Sequence, residues 1–232
     1  MNRSRPLALA FILLSAGDLA AQGTLSTQGL GFPTGQLSTG ARMMGGATGE
    51  ADALSPLNPA ALSMLSTPVV SFQSAPEFRR VRVGSVEERT SVSRFPVFMG
   101  ALPLGSRYTV ALSSSTLLDR TWATSSRDTQ FVGTDTMAST LSRRSVGAIA
   151  DTRLALSFAT APWLRFGAGL HFFSGSTDLR AVRAFDDTVL FAPDTLRSTV
   201  GFGGTAISLG AQVFFPRIAV GGMTYRRGGG VR

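Results

Sequence analysis

His171 is the single histidine among 232 residues, and cysteine is absent. These two facts bound the chemistry. A disulfide framework, a thiolate nucleophile and a multi-histidine metal site within one chain are all excluded. Covalent catalysis would then need a serine whose hydroxyl lies in hydrogen-bond reach of His171 on one face. Ser174 is three residues on, so it falls on the other side of a regular strand. Ser157 shares the face of His171 only if its segment forms the neighbouring strand. His171 therefore reads as a hydrogen-bonding residue on a polar face, and no enzymatic activity is expected. Asp186 and Asp187 are adjacent carboxylates, but calcium takes six to eight oxygen ligands, so they read as a solvated loop. "GFGGTA" at 201–206 is glycine-rich, yet it lies within a strand pattern with no helix after it, which argues against a nucleotide loop. The expectation is no catalytic residue, no cofactor and no metal.

The formal charge is +8, and every basic residue is arginine. A nucleic-acid binder gathers its charge on one face. Here Arg79, Arg80 and Arg82, Arg143 and Arg144, and Arg226 and Arg227 are dispersed along the chain, with no binding motif beside them. No nucleic-acid partner is expected. Attraction to an anionic lipid surface accounts for the basic balance as well.

The N-terminus has the layout of a secretory signal over 1–21. Arg3 and Arg5 precede an apolar stretch from Leu7 to Ala16, and the small residues Ala20 and Ala21 follow. The apolar stretch is shorter than the roughly 20 residues that a spanning helix needs. No second apolar run reaches that length. An exported chain of this kind is either soluble or crosses a membrane as a β-barrel.

The positions that would orient His171 lie in "WLRFGAGLHFF", Trp163 to Phe173. Leu164, Phe166, Ala168, Leu170 and Phe172 form one purely apolar face; Arg165, Gly167, Gly169 and His171 form the other. Period-two alternation over eleven residues predicts a strand, at the length of a tilted transmembrane one. Upstream, Val146, Ala148, Ala150, Thr152, Leu154, Leu156 and Phe158 alternate with Ser145, Gly147, Asp151, Arg153 and Ser157. Tyr108, Val110 and Leu112 likewise oppose Thr109 and Ser113. In 198–215 the apolar set moves from even positions (Val200, Phe202) to odd ones (Ile207, Leu209, Ala211, Val213), which predicts a β-bulge at Gly203–Gly204.

About seven to nine strands are expected after Ser66. Short turns at 103–106, 161–163 and 216–217 alternate with a polar, Ser- and Thr-rich stretch at 119–143 and a mixed, charged one at 176–197 that read as long loops. Long strands with one apolar face and this asymmetry of connections suit an outer-membrane barrel better than a soluble exported β-sandwich, whose strands are commonly about five or six residues.

Before the strands stands "GARMMGGATGEADALSPLNPAAL", crowded with small residues. Gly40-Ala41-Arg42, Gly45-Gly46-Ala47, Ala51-Asp52 and Asn58-Pro59-Ala60 occur in the order found near the mature N-terminus of FadL-type outer-membrane transporters and the related PorV-like barrels, which this region resembles. The resemblance covers about 25 residues; the rest agrees in strand pattern. It implies an all-β fold, an antiparallel transmembrane β-barrel with an N-terminal hatch over 22–66 and barrel strands over 67–232, in the bacterial outer membrane and in contact with membrane lipids. Asn58, Pro59, Ala60, Gly45 and Gly46 would be hatch residues. The strand count falls short of the 14 of FadL relatives, and "YRRGGGVR" is not the terminal aromatic strand usual in such barrels, so an incomplete barrel is expected. A FadL-type role is passage of a hydrophobic small molecule, with Arg153, Arg165 and His171 facing the lumen, where they would meet an anionic head group or pair with Asp151, Glu50 and Asp52. A PorV-like role is docking of a protein partner in secretion. A continuous apolar path through the lumen would favour the first, an occluded lumen with structured outer segments the second.

Overall fold

The structure, a computed structural model, describes residues 31–83, 86–132, 135–186, 191–215 and 219–228. The expected secretory signal at 1–21, the residues at 22–30, the expected turn at 216–217 and Asp187 lie outside them. The chain is all-β, and every strand pair is antiparallel. After β1 (Phe32–Pro33) come a one-turn helix α1 (Thr39–Met43) and a 3-10 turn (Pro59–Met64). Ten strands follow: β2 (Val69–Phe72), β3 (Ala75–Val83), β4 (Val86–Arg94), β5 (Val97–Leu104), β6 (Tyr108–Asp119), β7 (Trp122–Val132), β8 (Asp135–Ala161), β9 (Leu164–Phe185), β10 (Asp194–Phe215) and β11 (Ala219–Gly228).

The sheet runs β11-β10-β9-β8-β6-β5-β2, with β7 paired to β8, β1 paired to β6, and β3–β4 as a separate hairpin. β8 has 27 residues and changes partner along one edge. Its first part pairs with β7, from Asp135 to Ser145, and its second with β6, from Ala148 to Phe158. Pairing does not run full circle among the described residues, where β2 and β11 remain edges.

The alternation read in the sequence sets the two faces. In β8 and β9, Ser145, Asp151, Arg153, Ser157 and His171 are buried, whereas Leu154, Leu156, Phe166, Leu170 and Phe172 are about half exposed. The same split holds in β6, where Thr109 and Ser113 are buried and Tyr108 and Leu112 exposed.

Three expectations are corrected. Ten strands follow Ser66, against the seven to nine expected. The stretches 119–143 and 176–197 are largely strand, forming the β7–β8 and β9–β10 hairpin arms. Serine and threonine there satisfy a ladder as well as a loop, so polarity alone misled. No bulge sits at Gly203–Gly204, which pair in register with Ser174 and Phe173. The even face of β10 is the buried one from Ala206 to Gln212, and Phe202 lies on the same face of the unbroken ladder, with Arg120 stacked on its ring at 5.2 Å. The change in apolar phase is thus a change in what the inner face carries, not a break in the ladder. Register shifts occur instead between Thr116 and Leu118 and between Ala159 and Ala161. The short turns at 103–106, where Gly105 adopts φ +71°, and at 161–163 lie at one end, and the hairpin arms at the other.

Where β8 changes partner, backbones crowd. A Cβ on Gly147 would stand 2.1 Å from the Ser176 carbonyl oxygen, and one on Gly175 2.1 Å from that of Ala148. Glycine inside a strand marks such close approaches. Gly175→Ala is expected to cost about 1–3 kcal/mol in denaturant unfolding. Gly201→Ala, with nothing within 4 Å of the added carbon, is expected to stay within about 0.5 kcal/mol.

Candidate functional site

The N-terminal segment, residues 31–65, is held in shape by the small polar residues that made it look featureless. Ser38 caps α1 through Ala41 N–H, which donates to its Oγ at 3.0 Å. Asp52 accepts from the Ser38 hydroxyl, from Ser55 Oγ at 2.7 Å and from Leu54 N–H at 3.0 Å. Arg42 donates to the carbonyls of Leu37 (3.2 Å), Thr34 (2.6 Å) and Gly35 (2.7 Å). Gly45 and Gly46, at φ +65° and +83°, turn the chain after α1 in a region that side chains disfavour. Each block of the motif therefore has its own structural task.

Asn58-Pro59-Ala60 anchors the segment to the sheet. Asn58 Oδ1 accepts from Ala60 N–H at 2.9 Å, and Pro59 opens the 3-10 turn without needing a donor. Asn58 Nδ2 donates to the carbonyls of Glu50 (3.0 Å) and of Ala211 on β10 (3.1 Å). Beneath lie glycines of three adjacent strands. A Cβ on Gly167 would meet Pro59 C at 2.4 Å, one on Gly210 Asn58 Oδ1 at 2.1 Å, and one on Gly222 the Glu50 carbonyl at 2.5 Å. Glu50 also accepts from Thr224 Oγ1 at 2.6 Å, and Gln212 Nε2 donates to the Ala51 carbonyl at 3.1 Å. Leu62 closes a small apolar cluster with Val97, Met99, Ala101, Ala111 and Ala155.

Beside this anchor is a buried polar cluster. Asp151 Oδ1 lies 2.8 Å from His171 Nδ1, and His171 Nε2 lies 2.9 Å from Ser208 Oγ. Gln36 Nε2 donates to Asp151 Oδ2 at 2.9 Å and to Ser115 Oγ at 2.7 Å. Arg226 approaches Asp151 Oδ2 at 3.4 Å and Gln36 Oε1 at 3.3 Å. A carboxylate offers only acceptors, so it takes the proton on His171 Nδ1. In the neutral imidazole Nε2 is then the acceptor for the Ser208 hydroxyl.

Of the three residues expected to face inward, His171 pairs with Asp151. Arg153 is 1% exposed; Nη1 reaches the Leu57 carbonyl at 3.4 Å, while Nε and Nη2 have no partner. Arg165 lies 3.5 Å from Gln212 Oε1 and stacks over Phe214 at 3.9 Å. Glu50 and Asp52 pair with none of the three; they are used within the segment and by Thr224. Ser157 is buried without a partner, and Ser208 is the serine that meets His171. Ser208 stands 37 residues from His171 in sequence. The signal available was its place between the outward Ile207 and Leu209, combined with the hairpin register that sets it opposite Gly169.

No family model, no curated protein and no solved structure matches the chain. The anchor can be tested directly. Asn58→Ala removes the cap and both carboxamide bonds and is expected to cost about 1–3 kcal/mol. Gly210→Ala is expected to unseat the same side chain at similar cost. The two losses should combine less than additively in a double-mutant cycle, because they break one contact. Limited proteolysis should cut both variants within 31–65 faster than the parent.

Proposed function

We propose that the chain forms the wall of an outer-membrane β-barrel resembling the FadL-type transporters, with the N-terminal segment seated inside as a plug. The observation that carries this reading is the outward face. Leu102, Val110, Leu156, Ala168, Leu209 and Tyr225 are register partners in one row across β5, β6, β8, β9, β10 and β11. The adjoining row holds Leu104, Tyr108, Phe158, Phe166, Ala211 and Met223. Leu209 is 56% exposed and Leu156 48%. A soluble monomer rarely leaves an apolar patch of this extent in water. Lipid accepts it, with aromatic side chains such as Tyr108, Phe158 and Trp163 near the short-turn end, where an interfacial girdle belongs. The backbone edges of β2 and β11 must then be paired in the membrane, since hydrocarbon leaves no other partner for them.

On this reading the plug controls passage of a hydrophobic small molecule. A PorV-like docking role is the second reading. Two observations favour it: the β7–β8 and β9–β10 arms are hairpins paired along their length, and the buried inner face is filled by side chains and the N-terminal segment. Proteoliposomes distinguish the two. If the plug gates a channel, Asn58→Ala should raise uptake of a fluorescent fatty acid above the parent level; a docking protein stays closed in both.

The membrane placement has its own test. The protein should sediment with outer membranes, resist carbonate extraction and migrate faster in gels before boiling than after. Leu156→Arg, at the centre of the outward face, should cost about 2–4 kcal/mol in lipid and lower the recovered folded fraction. Recovery of the parent protein in the periplasmic supernatant would sink the proposal.

A further inference from the structure

Holding a plug requires buried hydrogen bonds, but it does not require a hydroxyl, an imidazole and a carboxylate in line. Ser208, His171 and Asp151 sit on β10, β9 and β8, stepping diagonally across three neighbouring strands. The spacings are 2.9 Å from Ser208 Oγ to His171 Nε2 and 2.8 Å from His171 Nδ1 to Asp151 Oδ1. We propose that these three side chains form a serine-nucleophile triad, latent beneath the N-terminal segment, that cleaves a carboxylic ester.

The surroundings fit each role. Asp151 receives only donors, so it fixes the proton on His171 Nδ1 and leaves Nε2 as the base for the hydroxyl. Gly169 faces Ser208 across the ladder, and a Cβ there would stand 2.7 Å from Ser208 Oγ. The stem of Arg153 closes on the same glycine, 3.3 Å from that position. Its guanidinium keeps two buried donors, Nε and Nη2, without a partner. A developing oxyanion is the kind of acceptor such donors suit. Strand positions hold the constellation more rigidly than loops would.

The reaction balances without a further reagent. Ser208 Oγ attacks the ester carbonyl carbon as its proton passes to His171 Nε2. The C–O bond to the alcohol breaks, and the departing oxygen takes that proton. Water then gives its proton to Nε2 and attacks the acyl-serine, releasing a carboxylic acid and restoring the Ser208 hydroxyl. At rest the site is covered: His171 and Ser208 are each 1% exposed, and Gln36 of the segment bonds to Asp151 and Ser115. This inference concerns the inner face alone and stands apart from the transport reading.

The test uses the full chain, folded in detergent, with an alkyl fluorophosphonate as the probe and mass spectrometry to locate the adduct. p-Nitrophenyl butyrate serves as the ester. The adduct is expected on Ser208 and should increase in Gln36→Ala, which loosens the cover. Ser208→Ala should lose it, and His171→Gln and Asp151→Asn should each lower labelling and hydrolysis by about tenfold or more. Ser157→Ala, which removes another fully buried serine, should behave as the parent. Should a triad variant fail to fold, the location of the adduct in folded Gln36→Ala decides alone. No adduct on Ser208 in either the parent or Gln36→Ala overturns the proposal, as does labelling that survives Ser208→Ala.

Discussion

Much of the architecture depends on one contact, the seating of Asn58-Pro59-Ala60 on the bare backbone of Gly167, Gly210 and Gly222. Three strands must lie side by side in one register for those glycines to form a floor. The turn must in turn present its carboxamide downward. Any side chain at Gly167 or Gly210 would lift the turn by an atom's width. The carbonyls of Glu50 and Ala211 would then lose the Asn58 donor. A buried polar group left unpaired costs about 1–3 kcal/mol, so the contact is cooperative. The segment holds its place because the sheet has no side chains there, and the sheet tolerates those glycines because the segment covers them.

The molecule also inverts the usual distribution of polarity. Its apolar cluster is small, six buried residues around Leu62 and Met99, while serines, threonines and charged groups fill most of the inner face. The outward face holds Leu, Phe, Ile and Tyr in register. Moving one such side chain out of water is worth roughly 1.5–3 kcal/mol. In water the sheet would leave most of that unrealised; in hydrocarbon it would not. The polar interior is coherent only because its groups bond one another and the segment, as at Asp151, which collects His171, Gln36 and Arg226.

What the sequence made legible follows from this two-faced plan. Alternation in 145–158 and 163–173 assigned Arg153, His171 and Leu156 to their faces, because a period of two leaves no freedom within a strand. Asn58 and Pro59 announced a capped turn through their own chemistry. Other features depended on partners remote in sequence. Strand β7 carries serines and threonines on both faces, so it has no apolar stripe to read; its extension comes from pairing with β8. Ser208 is one serine among many until the β9–β10 register places it beside His171. Of the carboxylates expected to pair with Arg153, Arg165 and His171, Asp151 meets His171, while Glu50 and Asp52 are engaged by Thr224 and within the segment.

The division of labour within the polar cluster gives it a further property. His171, Asp151, Ser208 and Arg226 all belong to the sheet, and only Gln36 and the carbonyl of Leu57 come from the segment. If the segment shifts, Asp151 loses one donor but keeps two, so the carboxylate stays paired and His171 keeps its orientation. Arg153 loses the Leu57 carbonyl, so Nη1 joins Nε and Nη2 as a donor without a protein acceptor. Removing the cover therefore leaves the aligned side chains in place and makes the neighbouring guanidinium more receptive to an anionic or oxyanionic group. A network built only to clamp the segment would be expected to collapse on its release, because its donors and acceptors would lie on both sides of the contact in equal measure.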